Sequence, residues 1–406
     1  YATCKVQHSP LLAAIASAAI ATISDFSFGE LGSTAWAFAS LACADGPLLD
    51  AISSEAIPTL SACSADDEAP GSQHNVAFLG WAKRAQGPPR LVGLRETLGL
   101  VQALTTSGHE GAQAVLDIAT LSMHYRAAVL EKGLKAGETL KHQVFAGDLP
   151  DGPRALAEGP HLSVLWKPPS WVVRAVFGDC SSTQISTSGA GGVPELQEWL
   201  MARYGEDTPI VLDAGAQHGL LHRLDRETSG TILWARSYRG YYDARLQFAV
   251  QRVYKGYVCL CQGAVVAAPR MLSVPLLEVL PEDGPPRSDA SERGRPALTE
   301  VKSSAHLLDP TGKVVSFVEV RLHTGRQHQI RAHLSHDGHP LVADSVYGGA
   351  AADWCRQHML HARRLVADLG DGAGPAATEA PLSEEMQEAL EQLRPADRRA
   401  HVLLRL

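Results

Sequence analysis

An internal repeat near the start of the chain constrains its fold more than any other feature. Residues 9–22 (SPLLAAIASAAIAT) recur as residues 46–59 (GPLLDAISSEAIPT), with nine of fourteen positions identical at an offset of 37. An Ala-rich segment with helical periodicity, residues 28–41, lies between the two copies. Periods of this length with two helices per unit are typical of α-solenoids. The pattern therefore predicts an N-terminal all-α helical-repeat segment over residues 1–145, with a third, degenerate unit starting near residue 75.

The composition of this segment argues against direct RNA binding. Residues 1–80 contain one basic residue, Lys5, and eight acidic residues, a balance that does not suit a surface following phosphates. Residues 31–41 (LGSTAWAFASL) are similar to helical repeats of organellar RNA-processing proteins in algae and related protists. A protein partner or a structural role is favoured, and RNA contacts from repeats upstream of Tyr1 are the alternative. Because solenoids need roughly three or more repeats to be stable, we also expect the segment to be truncated.

A second informative segment is GLLHRLDRETSG, residues 219–230. It places Asp225 between Arg223 and Arg226, and it closes on a predicted Ser-Gly turn. A cation within a few ångströms lowers a carboxylate pKa by roughly one to three units, and an ionised carboxylate can act as a nucleophile. Taken alone, the triplet is more typical of an ion cluster at the surface.

Two later segments predict a strand pair followed by a helix. Residues 257–262 alternate between two faces, with Tyr257 on one of them, and residues 314–322 are rich in the β-branched residues of strands. The period then becomes helical, with Ile330 and Leu334 on one face. Arg326 is thereby placed near the start of a helix, whose positive end can hold a carboxylate or a phosphate.

Positive charge is concentrated around these segments. The whole chain has a formal net charge of −8 at pH 7, whereas residues 221–257 carry a net charge of +4 and residues 313–336 a net charge of +3. An acidic chain has no general electrostatic attraction to RNA. The local excess therefore favours an anionic ligand at this place.

Four motifs resemble, in order, those of the RluA-type pseudouridine synthases. They are VLWKP (residues 164–168), HRLDRETSG (222–230), KGYVCLCQG (255–263) and RLHTGRQHQIRAHL (321–334), the last followed by HPL (339–341) and DSVYG (344–348). The resemblance covers roughly residues 155–370, and it implies an α+β catalytic domain with a mixed, largely antiparallel sheet. It leaves residues 371–406 as a C-terminal tail with a short acidic helix over residues 383–393.

The resemblance implies an enzyme that isomerises uridine to pseudouridine in RNA, with Asp225 as its catalytic residue. Asp225 would attack the ribose or remove a ribose proton on the way to a glycal, and the sequence leaves both routes open. The target base would have to be flipped out of structured RNA. Arg326 would pair with Asp225 and keep it ionised. Tyr257 would stack on the flipped base and remove the proton from the carbon that gains the new bond.

The other residues implied by the resemblance contact the substrate. Arg223 would fill the space that the flipped base leaves in the RNA stack. Ile330 would press on the uracil, with plain core packing as the alternative, and His222 would shape the loop. Lys255 and Lys167 are expected to contact phosphates. Structured, uridine-containing RNA is the implied partner, and neither a cofactor nor a metal is implied.

The chain departs from the family pattern in two places. Residues 166–171 (WKPPSW) lack the usual acid or Asn before Lys-Pro and the usual glycine after it, and residues 367–369 (ADL) replace Phe-x-His-Pro. Neither change touches Asp225, Tyr257 or Arg326, so we expect catalytic competence. The alternatives are a non-catalytic RNA-binding or RNA-maturation factor, and a protein-binding solenoid scaffold that carries the synthase fold.

Composition sets further bounds on the chain. No run of about 18 apolar residues exists, so no membrane span is expected. Seven scattered cysteines without metal-ligand spacing indicate a reducing, intracellular compartment, with chloroplast, mitochondrion, cytoplasm and nucleus left open. Residues 65–74 and 147–160 are predicted linkers, and residues 281–296 are a predicted mobile loop inside the catalytic domain.

Overall fold

The chain divides into two compact units. One comprises Tyr1–Glu138 together with Tyr238–Arg252, and the other comprises Thr139–Ser237 together with Val253–Leu406. The structure is a computed structural model that describes residues 9–40, 45–62, 94–134, 152–174, 193–205, 207–265, 269–281, 284–370 and 372–403. The predicted third repeat near residue 75 and the predicted linker over residues 65–74 lie outside these ranges.

Helices and strands are numbered in chain order. The described α-helices are α1 (Ser9–Ala21), α2 (Phe28–Ser40), α3 (Gly46–Ala62), α4 (Leu94–Thr106), α5 (Ala112–Leu134), α6 (Leu196–Tyr204), α7 (Tyr238–Ala249), α8 (Gln329–His336), α9 (Glu384–Glu391) and α10 (Arg398–Leu403). The strands are β1 (Arg154–Glu158), β2 (Leu162–Lys167), β3 (Ser229–Ala235), β4 (Tyr254–Gln262), β5 (Arg270–Leu272), β6 (Leu276–Val279), β7 (Arg287–Ala290), β8 (Thr299–Leu308), β9 (Val314–Leu322), β10 (Leu360–Asp368), β11 (Pro375–Glu379) and β12 (Arg394–Pro395).

Side chains cap the starts of two helices in the first unit. Before α2, the backbone N–H of Ser27 donates to Glu30 Oε2 at 2.7 Å, and the backbone N–H of Glu30 donates to Ser27 Oγ at 3.3 Å. This reciprocal pair is a capping box. Before α3, Asp45 Oδ1 accepts a hydrogen bond from the backbone N–H of Leu48 at 3.1 Å. Both caps satisfy donors that have no partner within the helix.

The two copies of the sequence repeat both fold as helices, α1 and α3. Leu12 of the first copy and its counterpart Leu49 are buried, and so are the counterparts Ala16 and Ser53. The prediction of an all-α N-terminal segment is confirmed for the residues of this segment that the structure describes. The finer prediction, that these helices form repeating pairs, stays a prediction.

One helix of the first unit comes from far along the chain. Leu246 of α7 and the following Val250 lie in the same hydrophobic core as the buried residues of α3 and α4. Nε2 of His124 on α5 lies 2.5 Å from Oδ1 of Asp243 on α7. The structural division therefore differs from the predicted boundary at residue 145, because the apolar face of α7 is buried among the N-terminal helices.

The second unit contains a large mixed sheet with the strand order β1-β2-β3-β10-β4-β9-β8-β12. β11 pairs with β10, and β5 pairs with β8, while β6 and β7 form a separate two-stranded sheet. The pairing of β3 with β10 is parallel, and the other strand pairs are antiparallel. The predicted fold class, α+β with a mixed, largely antiparallel sheet, is confirmed.

The alternation predicted over residues 257–262 is seen in how β4 buries its side chains. Tyr257, Cys259 and Cys261 belong to one core cluster, whereas Val258 and Leu260 belong to another. Successive side chains of a strand point to opposite faces, so the central sheet is covered on both sides. Ile330 and Leu334 of α8 pack into the same cluster as Tyr257.

Three predicted irregular regions contain regular structure. Residues 371–406 are not a tail, because β11 and β12 pair with strands of the main sheet, although the predicted short acidic helix is present as α9. The linker predicted over residues 147–160 includes β1, and the loop predicted over residues 281–296 includes β7. Backbone pairing with neighbouring strands overrides the local Pro and Gly signals here.

The predicted Ser-Gly turn is instead the beginning of β3. Ser229 and Gly230 pair in parallel with His361 and Ala362 of β10. Gly230 has a φ of +117°, and a Cβ at this position would lie 2.2 Å from the backbone oxygen of Ala362. Only glycine fits such a close approach of two backbones.

Among the described helices, none has the length and apolarity needed to cross a membrane.

Candidate active site

Asp225 lies on a loop that leads into β3 and is fixed at several points. Leu221 and Leu224 are buried on either side of His222. Nε2 of His222 accepts a hydrogen bond from the backbone N–H of Leu233 at 2.9 Å. Burial and the nearby Lys255 lower the pKa of His222 to about 3, so the ring is neutral and available as an acceptor. This contact agrees with the expectation that His222 shapes the loop.

Lys167, at the end of β2, holds the same loop in place from the protein interior. Its side chain is fully buried, and Nζ donates to the carbonyl oxygens of Pro168 at 2.8 Å and of Arg226 at 3.0 Å. Burial lowers its pKa to about 7, against the attraction of Asp225 and Glu227. The prediction that Lys167 contacts a phosphate is wrong for this structure, because its ammonium is enclosed and used by main-chain oxygens.

Arg331 of α8 is the residue that pairs with Asp225. Nη1 of Arg331 donates to Oδ2 of Asp225 at 3.2 Å. The other side of the guanidinium binds Asp344 in bidentate fashion, with Nε–Oδ2 and Nη2–Oδ1 distances of 2.7 Å. The side chains of Arg331 and Asp344 are 5% and 1% exposed, and that of Asp225 is 15% exposed. Asp344 thus holds the arginine in one orientation, and the arginine presents its remaining N–H to the more accessible carboxylate.

The electrostatic surroundings keep Asp225 ionised. Burial by itself would raise the pKa of its carboxyl group, but the positive potential of His328, Arg331, His358 and Arg223 outweighs burial and holds that pKa below its ordinary value. Asp344 and Asp225 in turn raise the pKa of Arg331, so the arginine remains charged. The arrangement can present a carboxylate in a largely desolvated place, where its charge is little screened.

Arg326 does not pair with Asp225, so this part of the prediction is wrong. Its Nε donates to the carbonyl oxygen of Pro296 at 2.9 Å. Its backbone N–H donates to Oε1 of Gln329 at 2.9 Å, which ties the turn before α8. Arg326 precedes the helix and is held by Pro296 and Gln329, whereas Arg331 lies within the helix and reaches the carboxylate of Asp225.

His328 lies on the other side of Asp225 with an unusual backbone. It has a left-handed conformation, with φ 51° and ψ 23°, at the N-cap of α8, a region that non-glycine residues enter at a cost. Its Nε2 is 3.7 Å from Oδ1 of Asp225, and its Nδ1 is 3.1 Å from the hydroxyl of Tyr347. Because that hydroxyl accepts from the backbone N–H of Ser288 at 2.8 Å, its own hydrogen can be donated to Nδ1. The proton of a neutral His328 is then on Nε2, toward Asp225.

Tyr257 and Ile330 are brought together with the loop, as predicted, in one core cluster that also contains Leu224. Tyr257 is 6% exposed and Ile330 is 3% exposed. Burial, and then the charge of Asp225, raise the pKa of Tyr257 above its ordinary value. A phenol of this kind holds its proton tightly, so Tyr257 needs a change of surroundings before it can act as a base.

The flanking cations differ in their accessibility. Arg223 is exposed and contributes to the low pKa of Asp225. Arg226 instead pairs with Glu227, with Nη2–Oε1 at 2.7 Å, so the suspected Arg-Asp-Arg cluster does not form. Lys255 is half-buried next to Arg326, and burial together with that arginine lowers its pKa to about 8.

Sequence reasoning assigned no role to four residues of this site: Arg331, Asp344, His328 and Tyr347. All four belong to the quoted motifs, but the spacing of the motifs does not show which cation meets which carboxylate. One signal was available for Arg331, which stands between Ile330 and Ala332 on a helix that is otherwise buried. A charged residue in such a position is almost always paired.

In the described part of the chain, no group of three or more His, Cys, Asp or Glu residues could hold a metal ion.

Comparisons with known proteins found a matching family and several similar proteins. The model of a family described as RNA pseudouridylate synthase matches residues 193–336, which include Asp225, Tyr257 and Arg331. The ribosomal large subunit pseudouridine synthase D of Nitrosomonas europaea is 26% identical over 353 residues, covering 81% of this chain and 92% of that protein. The tRNA pseudouridine synthase C of Salmonella typhimurium is 32% identical over 184 residues, covering 42% of this chain and 70% of that protein.

A solved structure is also similar. The human RNA pseudouridylate synthase domain containing 1 has a TM-score of 0.46 and 22% sequence identity, and the match covers 64% of this chain and 98% of that chain.

Proposed function

The chain belongs to the RNA pseudouridylate synthase family and is an enzyme that isomerises uridine to pseudouridine, and we propose that Asp225 is the residue that starts this reaction. The observation that carries the proposal is the contact between Arg331 and Asp225, in which a buried arginine fixed by Asp344 holds a partly accessible carboxylate ionised. An ionised carboxylate can attack carbon or remove a proton. Among the described carboxylates near this loop, Asp225 alone is both partly accessible and paired with a buried arginine.

The reaction that Asp225 would start conserves all atoms of the nucleotide. The bond between ribose C1′ and uracil N1 breaks, the base turns, and a bond forms between C1′ and C5. The C5 proton leaves and N1 gains a proton. Asp225 would either attack C1′ or remove the C2′ proton on the way to a glycal. Deuterium at C2′ slows turnover only in the second route, so an isotope effect on a labelled RNA distinguishes them.

The surrounding residues would hold the target nucleotide. A base inside structured RNA must be flipped out before its C1′ can meet Asp225. Arg223 is exposed beside the carboxylate and would occupy the place that the base leaves in the stack. Tyr257 would stack on the flipped uracil. It would receive the C5 proton as a phenolate, after its own phenolic proton has passed to N1, the atom that gains a proton in the reaction. Ile330 would contact the other side of the base.

The N-terminal unit supports a second, structural part of the proposal. The shared burial of Leu12 with Leu49 and of Ala16 with Ser53 supports the proposal that α1 and α3 belong to diverged helical repeats. We propose that this unit binds a protein partner, because its sequence is acidic over residues 1–80. We also propose that the target is a structured, uridine-containing RNA and that the protein works in a reducing compartment.

Tritium release tests the catalytic proposal directly. RNA labelled at uracil C5 is incubated with the unaltered chain and with Asp225→Asn, a variant that keeps the shape of the side chain and removes its charge. We expect release from the unaltered chain and none from the variant, with RNA binding preserved in both. Release that survives in Asp225→Asn would show that another residue starts the reaction.

A further inference from the structure

His328 begins α8 in a way that contributes little to the helix itself. Its backbone is left-handed, with φ 51° and ψ 23°, and its side chain makes no capping hydrogen bond. N-cap positions favour short side chains such as Ser, Thr, Asp and Asn, whose oxygen accepts from the first turn of the helix. A strained backbone that brings the helix no cap indicates that the side chain has a role outside the helix.

Both ring nitrogens of His328 face groups of the active site. Nε2 lies 3.7 Å from Oδ1 of Asp225, and Nδ1 lies 3.1 Å from the hydroxyl group of Tyr347. The side chains of His328 and Asp225 are largely buried, so water screens this contact little. Arg331 follows three residues later, which places it on the same face of α8 as His328.

The two side chains of α8 approach different oxygens of Asp225. Nη1 of Arg331 donates to Oδ2 at 3.2 Å, whereas Nε2 of His328 is beside Oδ1. Rotation of an aspartate carboxylate about its Cβ–Cγ bond is only weakly restricted, so one hydrogen bond does not fix its plane. A second donor on the other oxygen would fix it. Catalytic hydrogen bonds are often long in the free enzyme and become shorter when the substrate binds.

Tyr347 contacts both of these side chains. Its hydroxyl accepts from the backbone N–H of Ser288 at 2.8 Å, so its own hydrogen is available to Nδ1 of His328. The hydrogen of the neutral ring is then on Nε2, toward Asp225. The guanidinium of Arg331 lies over the ring of Tyr347, 4.9 Å from its centroid. Tyr347 can therefore orient the two groups that meet the carboxylate.

The protonation of His328 agrees with a neutral ring. Burial lowers its pKa below the ordinary 6.5, although Asp225 and Asp344 act in the opposite direction. Arg331 and Arg223 add to the effect of burial. The ring then carries one hydrogen at neutral pH, and the partner of one nitrogen decides which of the two nitrogens carries it.

We propose that His328 is a positioning residue for the reaction, whose Nε2–H donates to Oδ1 of Asp225 when the target nucleotide is bound, and that Tyr347 fixes the tautomer that this requires. Arg331 and His328 then hold one oxygen each, so the plane of the carboxylate is fixed. Each oxygen has two lone pairs, and one on each remains for the substrate. The inference rests on the proposed function, since it takes Asp225 as the residue that starts the reaction.

Two substitutions of His328 separate positioning from a role in folding alone. In His328→Gln the amide nitrogen can take the place of Nε2, whereas in His328→Asn it reaches only as far as Nδ1. Asn suits a left-handed backbone better than Gln does, so a residue needed only for the fold would rank Asn above Gln in activity and stability alike. We expect the opposite ranking in activity, with kcat about tenfold higher in His328→Gln than in His328→Asn and KM within about twofold in both.

His336→Gln is the matched control, because His336 is exposed at the other end of the same helix. Pseudouridine formation over a range of RNA concentrations gives kcat and KM, and thermal unfolding gives the stability of each variant. The control should keep the kcat of the unaltered chain, and His328→Asn should unfold at a temperature no lower than His328→Gln. A kcat in His328→Asn equal to or above that in His328→Gln would overturn the proposal.

The part assigned to Tyr347 is tested through the tautomer. Nitrogen-15 NMR of protein labelled at histidine distinguishes Nε2–H from Nδ1–H, and His328→Gln identifies the signal of His328 by its loss. We expect Nε2–H in the unaltered chain. Tyr347→Phe keeps the ring beside Arg331 and removes the hydrogen given to Nδ1, so it should lower kcat in the unaltered chain and not in His328→Gln, where no ring tautomer exists. An Nδ1–H signal in the unaltered chain, or equal losses of kcat in both backgrounds, would contradict this part.

Failure of this inference and failure of the catalytic proposal are distinguishable. Turnover that survives in Asp225→Asn contradicts the catalytic role of Asp225. Equal kcat values for the two His328 variants contradict only the positioning role of the histidine. The tautomer is observed in the protein without RNA, so that result does not depend on turnover.

Discussion

At the scale of single residues, the identity of the arginine beside Asp225 determines how the site works. The motif contains Arg326 and Arg331, and only Arg331 reaches the carboxylate. Its guanidinium binds Asp225 and Asp344 together, which requires a planar fork with several donors. A buried ion triad of this type contributes orientation more than stability.

Exchange of each arginine for lysine separates the two roles. Arg331→Lys keeps a positive charge but cannot bind both carboxylates in the same geometry, so we expect kcat to fall by ~10²-fold through misplacement of Asp225. Arg326→Lys should act mainly on KM, because Arg326 does not touch Asp225. Both variants are compared in single-turnover pseudouridine formation, with thermal unfolding as a check on folding. An equal loss of kcat in both would contradict the assignment of Arg331.

The depressed pKa of Asp225 sets the acidic limb of the pH profile. Activity needs the ionised carboxylate, and the folded-state pKa lies below the ordinary 3.8, so kcat/KM should stay independent of this group down to about pH 4. A depressed carboxyl pKa adds stability above the unfolded-state pKa, and this contribution is lost as pH falls through the folded-state pKa. In Arg331→Gln the acidic limb should move to higher pH. An unmoved limb, measured by brief pH-jump assays, would show that Arg331 does not control this ionisation.

At the scale of elements, the site depends on the parallel contact between β3 and β10. The loop that carries Asp225 leads into β3, which begins with Ser229 and Gly230. Gly230 lies against the backbone of Ala362 on β10. Lys167 closes the other side of the loop by binding the carbonyl oxygen of Arg226. The pairing of β3 with β10 and the buried ammonium group of Lys167 together position the carboxylate of Asp225. Neither of them takes part in the reaction.

Substitution of Gly230 tests this dependence on close backbone packing. Gly230→Ala would place a Cβ 2.2 Å from the Ala362 oxygen at a φ of +117°, so we expect a loss of roughly 3 kcal/mol in the free energy of unfolding, with loss of activity. Gly312→Ala is the matched control, because its φ is +84° but nothing lies within 4 Å of the added Cβ. It should lose about 1 kcal/mol. Urea unfolding of both measures the difference, and similar values would contradict the packing argument.

At the scale of the whole molecule, the family motifs and the N-terminal helices are connected through α7. The helix follows β3 in sequence, yet Leu246 and Val250 are buried in the core of the N-terminal unit. The acidic N-terminal helices therefore bury apolar residues from the middle of the catalytic sequence. Removal of these helices would expose that surface.

A chain shortened to begin at Thr139 tests this interdependence. We expect it to aggregate and to unfold at a lower temperature than the full chain, because burial of each large aliphatic side chain contributes about 1.5–3 kcal/mol. Leu246→Gln together with Val250→Thr in the shortened chain should restore solubility. Size-exclusion chromatography and thermal unfolding measure both effects. Equal solubility of the shortened chain with and without these two substitutions would contradict the burial of α7.

Elements that depend on local physics were predictable from the amino-acid sequence. The alternation around Tyr257, the β-branched run of β9, the helical face of Ile330 and Leu334, and the Ala-rich helices all follow from side-chain period, which acts over a few residues. The motifs also placed Asp225, Tyr257 and Ile330 in one region.

Contacts between groups that are far apart in the sequence depend on tertiary packing and were not predictable. Asp225 and Arg331 are 106 residues apart, and the spacing of the motifs does not show whether Arg326 or Arg331 meets the carboxylate. Three other features also depend on contacts that the sequence did not reveal. They are the burial of Lys167, the pairing of strands from residues 371–406 with the sheet, and the packing of α7 in the helical unit. Each depends on surfaces that come together only after the chain has folded, because packing and desolvation act between neighbours in space and not between neighbours in sequence.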